Sequence, residues 1–202
     1  MALLDIAPVV PVVVIDDAVR AVPMARALWA GGVGIVEITL RTPAAFDAIR
    51  RIADEVPEIV VGAGTVLTPE HAAASLRAGA RFLVTPGSTD RVLDAVADTG
   101  LPVLPGAATV SEAMRLAERG HRELKFFPAE ASGGVPFLRT LRGPLPDLRF
   151  CPTGGITAAN ASAYLALPNV GCVGATWLTP AAVLESGDYA EIERLARSSV
   201  TR

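Results

Sequence analysis

The chain has 202 residues, of which 51% are hydrophobic, and a formal net charge of −3 with Arg scattered along it rather than clustered. That is enough for one domain with a sizeable core, and too apolar for disorder. The charge excludes nucleic acid as a main partner, and the longest apolar runs, such as Val9 to Ile15, are far too short to span a bilayer.

Short β-branched runs alternate with Ala/Leu/Arg-rich helical segments roughly every two dozen residues. Met1–Ile6 reads as a short helical lid. The first run is Val9–Ile15, after which Asp16 or Asp17 caps a long helix ending at Gly31-Gly32. The second run is Ile35–Thr39, and Thr42-Pro43 starts the next helix with Pro at its first position. Ile59–Ala63 is the third run. Thr68-Pro69-Glu70 repeats the Thr-Pro device after it, and Gly79 closes that helix. Phe82–Thr85 and Pro102–Leu104 are the fourth and fifth runs, with Gly100 and Gly120 closing the fourth and fifth helices. Leu124–Phe127, Phe150–Thr153 and Gly171–Gly174 complete the set, and Thr157 or Asn160 opens the seventh helix.

Eight strands alternating with helices predict a parallel sheet covered by helices. Closure into a single-domain (β/α)8 TIM barrel over residues 1–202, with the short N-terminal helix under its floor, is the expected solution. An open doubly wound sheet is the alternative; no Gly-x-Gly-x-x-Gly follows the first run to support it. The first residues lack a basic segment ahead of the apolar one, so no signal peptide is expected and a cytoplasmic location is.

Cys151 and Cys172 fall in apolar runs without metal-ligand spacing and read as small buried hydrophobes in a reducing compartment. His71 and His121 have no partner pattern and read as surface residues. No His-based triad, metal site or other cofactor is expected.

One residue type stands out. Of the 18 Lys and Arg, only Lys125 is a lysine, and it sits in the apolar run Glu123-Leu124-Lys125-Phe126-Phe127-Pro128-Ala129-Glu130. A buried ammonium escapes its desolvation cost by losing its proton, which leaves the neutral, nucleophilic amine that a Schiff base requires. The alternative is a lysine at a strand end with its head in water.

In a barrel of this type, chemistry sits at the C-terminal strand ends. Period 2 puts Ile35, Glu37 and Thr39 on one face, with Arg41 continuing it, and puts Glu123, Lys125 and Phe127 on another. The third strand leads into Thr65 and the seventh ends at Thr153. A carboxylate, a guanidinium, an amine and two hydroxyls would converge on one mouth. Each has a plainer reading: Glu37 as the partner of an inward Arg, Arg41 on helix carbonyls or a strand edge, the threonines as β-formers or caps, Phe127 as core. Thr153-Gly154-Gly155-Ile156-Thr157 and Val173-Gly174-Ala175-Thr176 follow the last two strands, where such barrels bind phosphate on backbone N–H groups. Tight turns would also need these glycines.

Glu37-Ile38-Thr39-Leu40-Arg41-Thr42, Val61-Gly62-Ala63-Gly64-Thr65-Val66, Lys125-Phe126-Phe127-Pro128-Ala129-Glu130 and Arg149-Phe150-Cys151-Pro152-Thr153-Gly154-Gly155-Ile156 resemble the 2-keto-3-deoxy-6-phosphogluconate (KDPG) and 2-keto-4-hydroxyglutarate (KHG) aldolases. The resemblance runs in order over nearly the whole chain and includes Ala21-Val22-Pro23-Met24-Ala25. It implies a (β/α)8 barrel, a homotrimer, and a metal-free class I lyase of the Entner-Doudoroff pathway. Such an enzyme cleaves KDPG to pyruvate and glyceraldehyde 3-phosphate, and 4-hydroxy-2-oxoglutarate to pyruvate and glyoxylate. By resemblance, Lys125 is the Schiff-base lysine and Glu37 the general acid/base. Arg41 holds the pyruvyl carboxylate. Thr65, Pro86 and Phe127 surround the pyruvyl unit, and Thr153 supplies a hydroxyl in the same pocket. Gly154, Gly155, Gly174 and Thr176 fall on the phosphate loops. The chain departs from the family pattern at Gly106-Ala107-Ala108-Thr109 and at Gly174-Ala175-Thr176-Trp177, where Ala175 adds a Cβ beside the phosphate position. These departures bear on phosphate affinity and substrate preference. The competing readings are a phosphate-binding barrel isomerase or decarboxylase with Lys125 as an acid, and a non-catalytic assembly barrel.

Overall fold

The structure, a computed structural model, describes residues 2–200; Met1 and the last two residues of the predicted 1–202 domain lie outside that range. Among the described residues, nine parallel strands form two sheets. The first holds β1 (Val9–Val13), β2 (Ile35–Thr39), β3 (Val60–Gly64), β4 (Leu83–Val84), β5 (Val103–Leu104) and β9 (Val173–Ala175) in the order β5-β4-β3-β2-β1-β9. The second holds β6 (Gly106–Ala107), β7 (Glu123–Phe126) and β8 (Arg149–Pro152) in sequence order. Parallel bridges Phe150↔Val170 and Thr153↔Gly174 join β8 to the segment of β9.

The predicted runs all fall on strands, Ile35–Thr39 with the expected bounds and the others with shifted ends. The first stops at Val13 rather than Ile15, because Val14 turns outward and is 43% exposed. The fifth gives only Val103 and Leu104, which pair with β4; a further short strand the sequence did not suggest, Gly106–Ala107, follows it and pairs with β7, with Pro105 between. Pro105 has no N–H to donate, but its carbonyl accepts the Lys125 N–H at 2.9 Å. β1, β2 and β3 are buried along their whole length. A sheet covered on both faces removes every side chain from water, so its strands read as continuous apolar runs. Each Val, Ile or Leu so buried stabilises the fold by about 1.5–3 kcal/mol.

The helices are α1 (Ala21–Ala30), α2 (Ala45–Glu55), α3 (Pro69–Arg77), α4 (Asp90–Asp98), α5 (Val110–Glu118), α6 (Gly134–Leu141), α7 (Ala161–Leu165), α8 (Ala181–Ser186) and α9 (Tyr189–Val200). None is long and apolar enough to cross a membrane. Asp17 accepts the Val19 N–H at 3.0 Å and starts a 3-10 turn that runs into α1. Thr68 caps α3 with Pro69 at its first position, as expected. Gly79, Gly100 and Gly120 stand just past α3, α4 and α5.

Two expectations need correction. Thr42-Pro43 does not start α2, which begins at Ala45; the Thr42 hydroxyl donates to the Ile15 carbonyl instead and ties the turn to the end of β1. Asn160 does open α7, standing at its N-cap position just before Ala161, though its side chain makes no capping bond. Its Oδ1 accepts the Thr157 N–H at 2.7 Å instead. His71 and His121 are half-buried rather than surface residues: His71 Nδ1 accepts the Leu67 N–H, and burial, then the charge of Arg119, lowers the pKa of His121.

Leu3–Asp5 forms a 3-10 helix. It is fastened to the starts of β7 and β8: the Leu3 N–H donates to Glu123 Oε2 at 3.0 Å, and Arg149 Nη1 donates to Asp5 Oδ2 at 3.2 Å and to Glu123 Oε1 at 3.4 Å. Cys151 and Cys172 are both buried and free. Cys151 beside it and burial together push the Cys172 thiol well above its ordinary pKa.

Candidate active site

Lys125 on β7 and Glu37 on β2 come from different sheets and meet in the interior. The Nζ donates to Oε1 at 3.3 Å, and the two side chains are 5% and 4% exposed. The two groups expected to converge thus do so, and the plainer alternative, an inward Arg as the partner of Glu37, is replaced by a lysine. Gly64 makes room for it, because a Cβ there would collide with the Glu37 carboxylate. The Lys125 Nζ also lies 5.4 Å from the centroid of the Phe127 ring, at the mouth end of the same strand.

Arg41 stands two residues beyond β2, and its Nε donates to Thr65 Oγ1 at 3.3 Å. Among the described residues, it bonds neither a helix carbonyl nor a strand edge. Its turn is held from below by three contacts. The Thr39 hydroxyl donates to the Val13 carbonyl at 2.9 Å, the Arg41 N–H donates to the Thr39 carbonyl at 2.8 Å, and the Thr42 hydroxyl reaches Ile15. Thr65, just past β3, has φ +61°. A β-branched residue in the left-handed region carries about 1–3 kcal/mol of strain, which the surrounding contacts must override.

A cleft of ≈ 140 Å³ opens beside these groups, lined by Arg41, Phe127, Thr153, Gly154, Gly155, Gly174 and Thr176 together with Val12, Ile156 and Ala175. The Thr153 hydroxyl lies 3.4 Å from the Cys151 carbonyl and 3.9 Å from its sulfur. Gly154 and Gly155 have φ of +96° and +80°. Ala175, the departure from the family pattern, is among the lining residues. Pro86 is not: it stands two residues past β4, in a segment fastened by the Gly106 N–H donating to Thr85 Oγ1 at 3.2 Å and by the Ser88 hydroxyl donating to the Gly106 carbonyl at 2.8 Å.

With these positions fixed, comparison with known proteins is decisive. A family model, "KDPG and KHG aldolase", matches residues 1–195. The chain belongs to the KDPG and KHG aldolase family. It is 53% identical over 199 residues to a KHG/KDPG aldolase of Escherichia coli (strain K12), covering 98% of this chain and 93% of that one. It is 54% identical over 198 residues to a 2-dehydro-3-deoxy-phosphogluconate aldolase of Dickeya dadantii, with 98% and 93% covered. Among solved structures it is similar to the KDPG aldolase of Legionella pneumophila, with a TM-score of 0.96, 42% identity, and 98% and 97% covered. That protein holds pyruvate captured at low pH as a covalent carbinolamine intermediate. In this member of the family, Lys125, Glu37 and Thr65 are not among the residues that line the cleft; Phe127 connects the two, lining the cleft and standing with its ring centroid 5.4 Å from the Lys125 Nζ.

Three contributors around the loop after β8 escape a reading of the sequence. The Asn160 Nδ2 donates to the Gly155 carbonyl at 3.1 Å, and the buried Tyr164 hydroxyl donates to Glu130. Burial, with Glu130 beside it, raises the Tyr164 pKa and keeps the hydroxyl a donor. Glu130 closes the Lys125–Glu130 motif, so a signal for it existed; Tyr164 has no local pattern that marks it.

Proposed function

We propose that the protein is a class I aldolase that cleaves KDPG to pyruvate and glyceraldehyde 3-phosphate and also accepts 4-hydroxy-2-oxoglutarate, giving pyruvate and glyoxylate. The observation that carries this reading is the single lysine, buried and 3.3 Å from a buried carboxylate, beside a glycine-lined cleft. The likeness to relatives that bear these activities in their names supports it.

Lys125 attacks the C2 ketone as a free amine, and Glu37 relays the protons as the carbinolamine loses water to give a protonated imine. The imine draws electrons from the C3–C4 bond as Glu37 takes the C4 hydroxyl proton. Cleavage releases the aldehyde and leaves the enamine of pyruvate on Lys125. Protonation at C3 and hydrolysis return pyruvate and the amine. Arg41 pairs with the pyruvyl carboxylate through its remaining guanidinium N–H groups, holding C2 near the amine. Thr65, Pro86, Phe127 and Thr153 pack around the pyruvyl unit. Gly154, Gly155, Gly174 and Thr176 take the phosphate.

The fold belonging to this reading is a closed (β/α)8 barrel formed by the whole chain. In its favour, β5 and β6 are separated by Pro105 alone and pair to opposite sides, and two bridges link β8 with the β9 segment. A homotrimer in the cytoplasm follows by analogy with the family.

The test is pyruvate release from KDPG and from 4-hydroxy-2-oxoglutarate, assayed side by side. Release from neither would refute the assignment. Activity instead on a sugar phosphate lacking a 2-keto acid would favour the isomerase reading.

A further inference from the structure

Three successive peptide carbonyls after β8 are held on the side of β7 and α7. The Thr153 carbonyl accepts the Ala129 N–H at 2.8 Å, the Gly154 carbonyl accepts the Glu130 N–H at 3.1 Å, and the Gly155 carbonyl accepts Asn160 Nδ2 at 3.1 Å. In a trans peptide the C=O and the following N–H point in opposite directions. Fixing these carbonyls therefore aims the N–H groups of Gly154, Gly155 and Ile156 the other way. All three residues line the cleft, and among the described residues none of those N–H groups has an acceptor. A run of such N–H groups is a concave anion receptor.

Glycine peptides flip easily, and a flip would turn a carbonyl dipole on the bound anion. Something behind the loop has to prevent it. Asn160 does so directly, and its Oδ1 is anchored in turn by the Thr157 N–H at 2.7 Å. Glu130 does so through its backbone and its bulk: its Cβ and Cγ would lie 2.7 and 2.6 Å from a Cβ on Gly155. The Tyr164 hydroxyl, at the end of a side chain 1% exposed, holds the Glu130 carboxylate in place. Released, that carboxylate would be a negative charge free to move beside an anion site.

We infer that Asn160, Glu130 and Tyr164 are positioning residues that keep the Gly154–Gly155 loop in its anion-receiving form and so set the preference for phosphorylated over unphosphorylated 2-keto acids. The inference rests on the aldolase reading above. It assigns the discrimination to side chains behind the loop, none of which lines the cleft.

The experiment measures kcat and KM for KDPG and for its unphosphorylated counterpart, 2-keto-3-deoxygluconate, in wild type, Asn160→Ala and Tyr164→Phe. Inorganic phosphate serves as a competitive inhibitor of the second reaction. Each variant loses one hydrogen bond to the loop or its support. We expect about a tenfold fall in kcat/KM for KDPG, carried by KM, and a similar weakening of phosphate inhibition. The value for the unphosphorylated substrate should stay within about twofold, since the loop does not contact it. Parallel losses on both substrates would mean a general structural role, and an unchanged preference in both variants would mean no role; either overturns the inference while leaving the aldolase standing. No pyruvate from either substrate in wild type would overturn the aldolase reading and this inference with it. Asn160 is only half-buried, so its variant keeps the test open if Tyr164→Phe folds poorly.

Discussion

Lys125 Nζ and Glu37 Oε1 lie 3.3 Å apart although 88 residues separate them in the chain. Glu37 is in register with Gly62 on β3, and Lys125 with Gly106 on β6 and Cys151 on β8. The two side chains therefore approach from different sheets. An amine and a carboxylate at hydrogen-bond distance can exchange a proton directly, which each dehydration and hydration step of imine chemistry needs.

Pyruvate with borohydride should leave a reduced adduct on the Lys125 peptide in the mass spectrum. Lys125→Met should show neither adduct nor turnover. Glu37→Gln keeps the shape of the site but cannot relay protons, so kcat should drop by about 10²–10⁴ while slow trapping persists. Full activity of Glu37→Gln would remove the carboxylate from the mechanism.

Arg41 reaches the mouth with its Nε on Thr65, which leaves its other N–H groups for a carboxylate. Arg41→Lys keeps the charge but not the planar fork. The loss of a charge-assisted bond of about 1.5–3 kcal/mol should raise KM for keto acids by roughly 10- to 100-fold, with a smaller change in kcat. Steady-state kinetics decide it: an unchanged KM would place the carboxylate elsewhere.

Thr65 trades backbone strain for a hydroxyl beside Arg41. At φ +61°, Thr65→Gly relieves about 1–3 kcal/mol of strain, against about 1 kcal/mol of added freedom in the unfolded chain. Denaturant unfolding should show a variant as stable as wild type or more so, whereas kcat/KM falls because Arg41 loses its support. A variant both unstable and fully active would contradict this account.

His121 makes stability depend on pH near neutrality. Burial and Arg119 hold its native pKa below the ordinary imidazole value of 6.5, so the unfolded chain binds the proton more readily. Stability should be highest above pH 6.5 and decline as pH falls through that value toward the lower native one. His121→Gln should flatten the slope in urea titrations between roughly pH 7 and 5. An identical slope in the variant would show that other groups carry it.

Much of the fold was legible because its signals are local. β-branched runs, Thr68-Pro69 at a helix start and glycines past helix ends act within a few residues, so the strands came out in place with ends shifted by a residue or two. Thr42-Pro43 misled because a side-chain hydroxyl can serve a helix or a neighbouring strand end. The Ile15 carbonyl took it, and that acceptor is 27 residues away. The strand Gly106–Ala107, missed beyond the fifth run, also depends on partners, since it pairs with β7 while Val103 and Leu104 pair with β4.

The sequence by itself determined that one lysine would lie in an apolar strand, that Glu37 and Arg41 would share a face, and that glycines would follow the last two strands. Tertiary structure alone decided that Glu37 answers Lys125, that Thr65 rather than a helix carbonyl receives Arg41, and that Asn160, Glu130 and Tyr164 stand behind the glycine loop. The reason is the parallel architecture: every strand pairs with a neighbour reached only through a crossover, so the contacts that build the mouth join residues far apart in the chain and leave no local pattern to read.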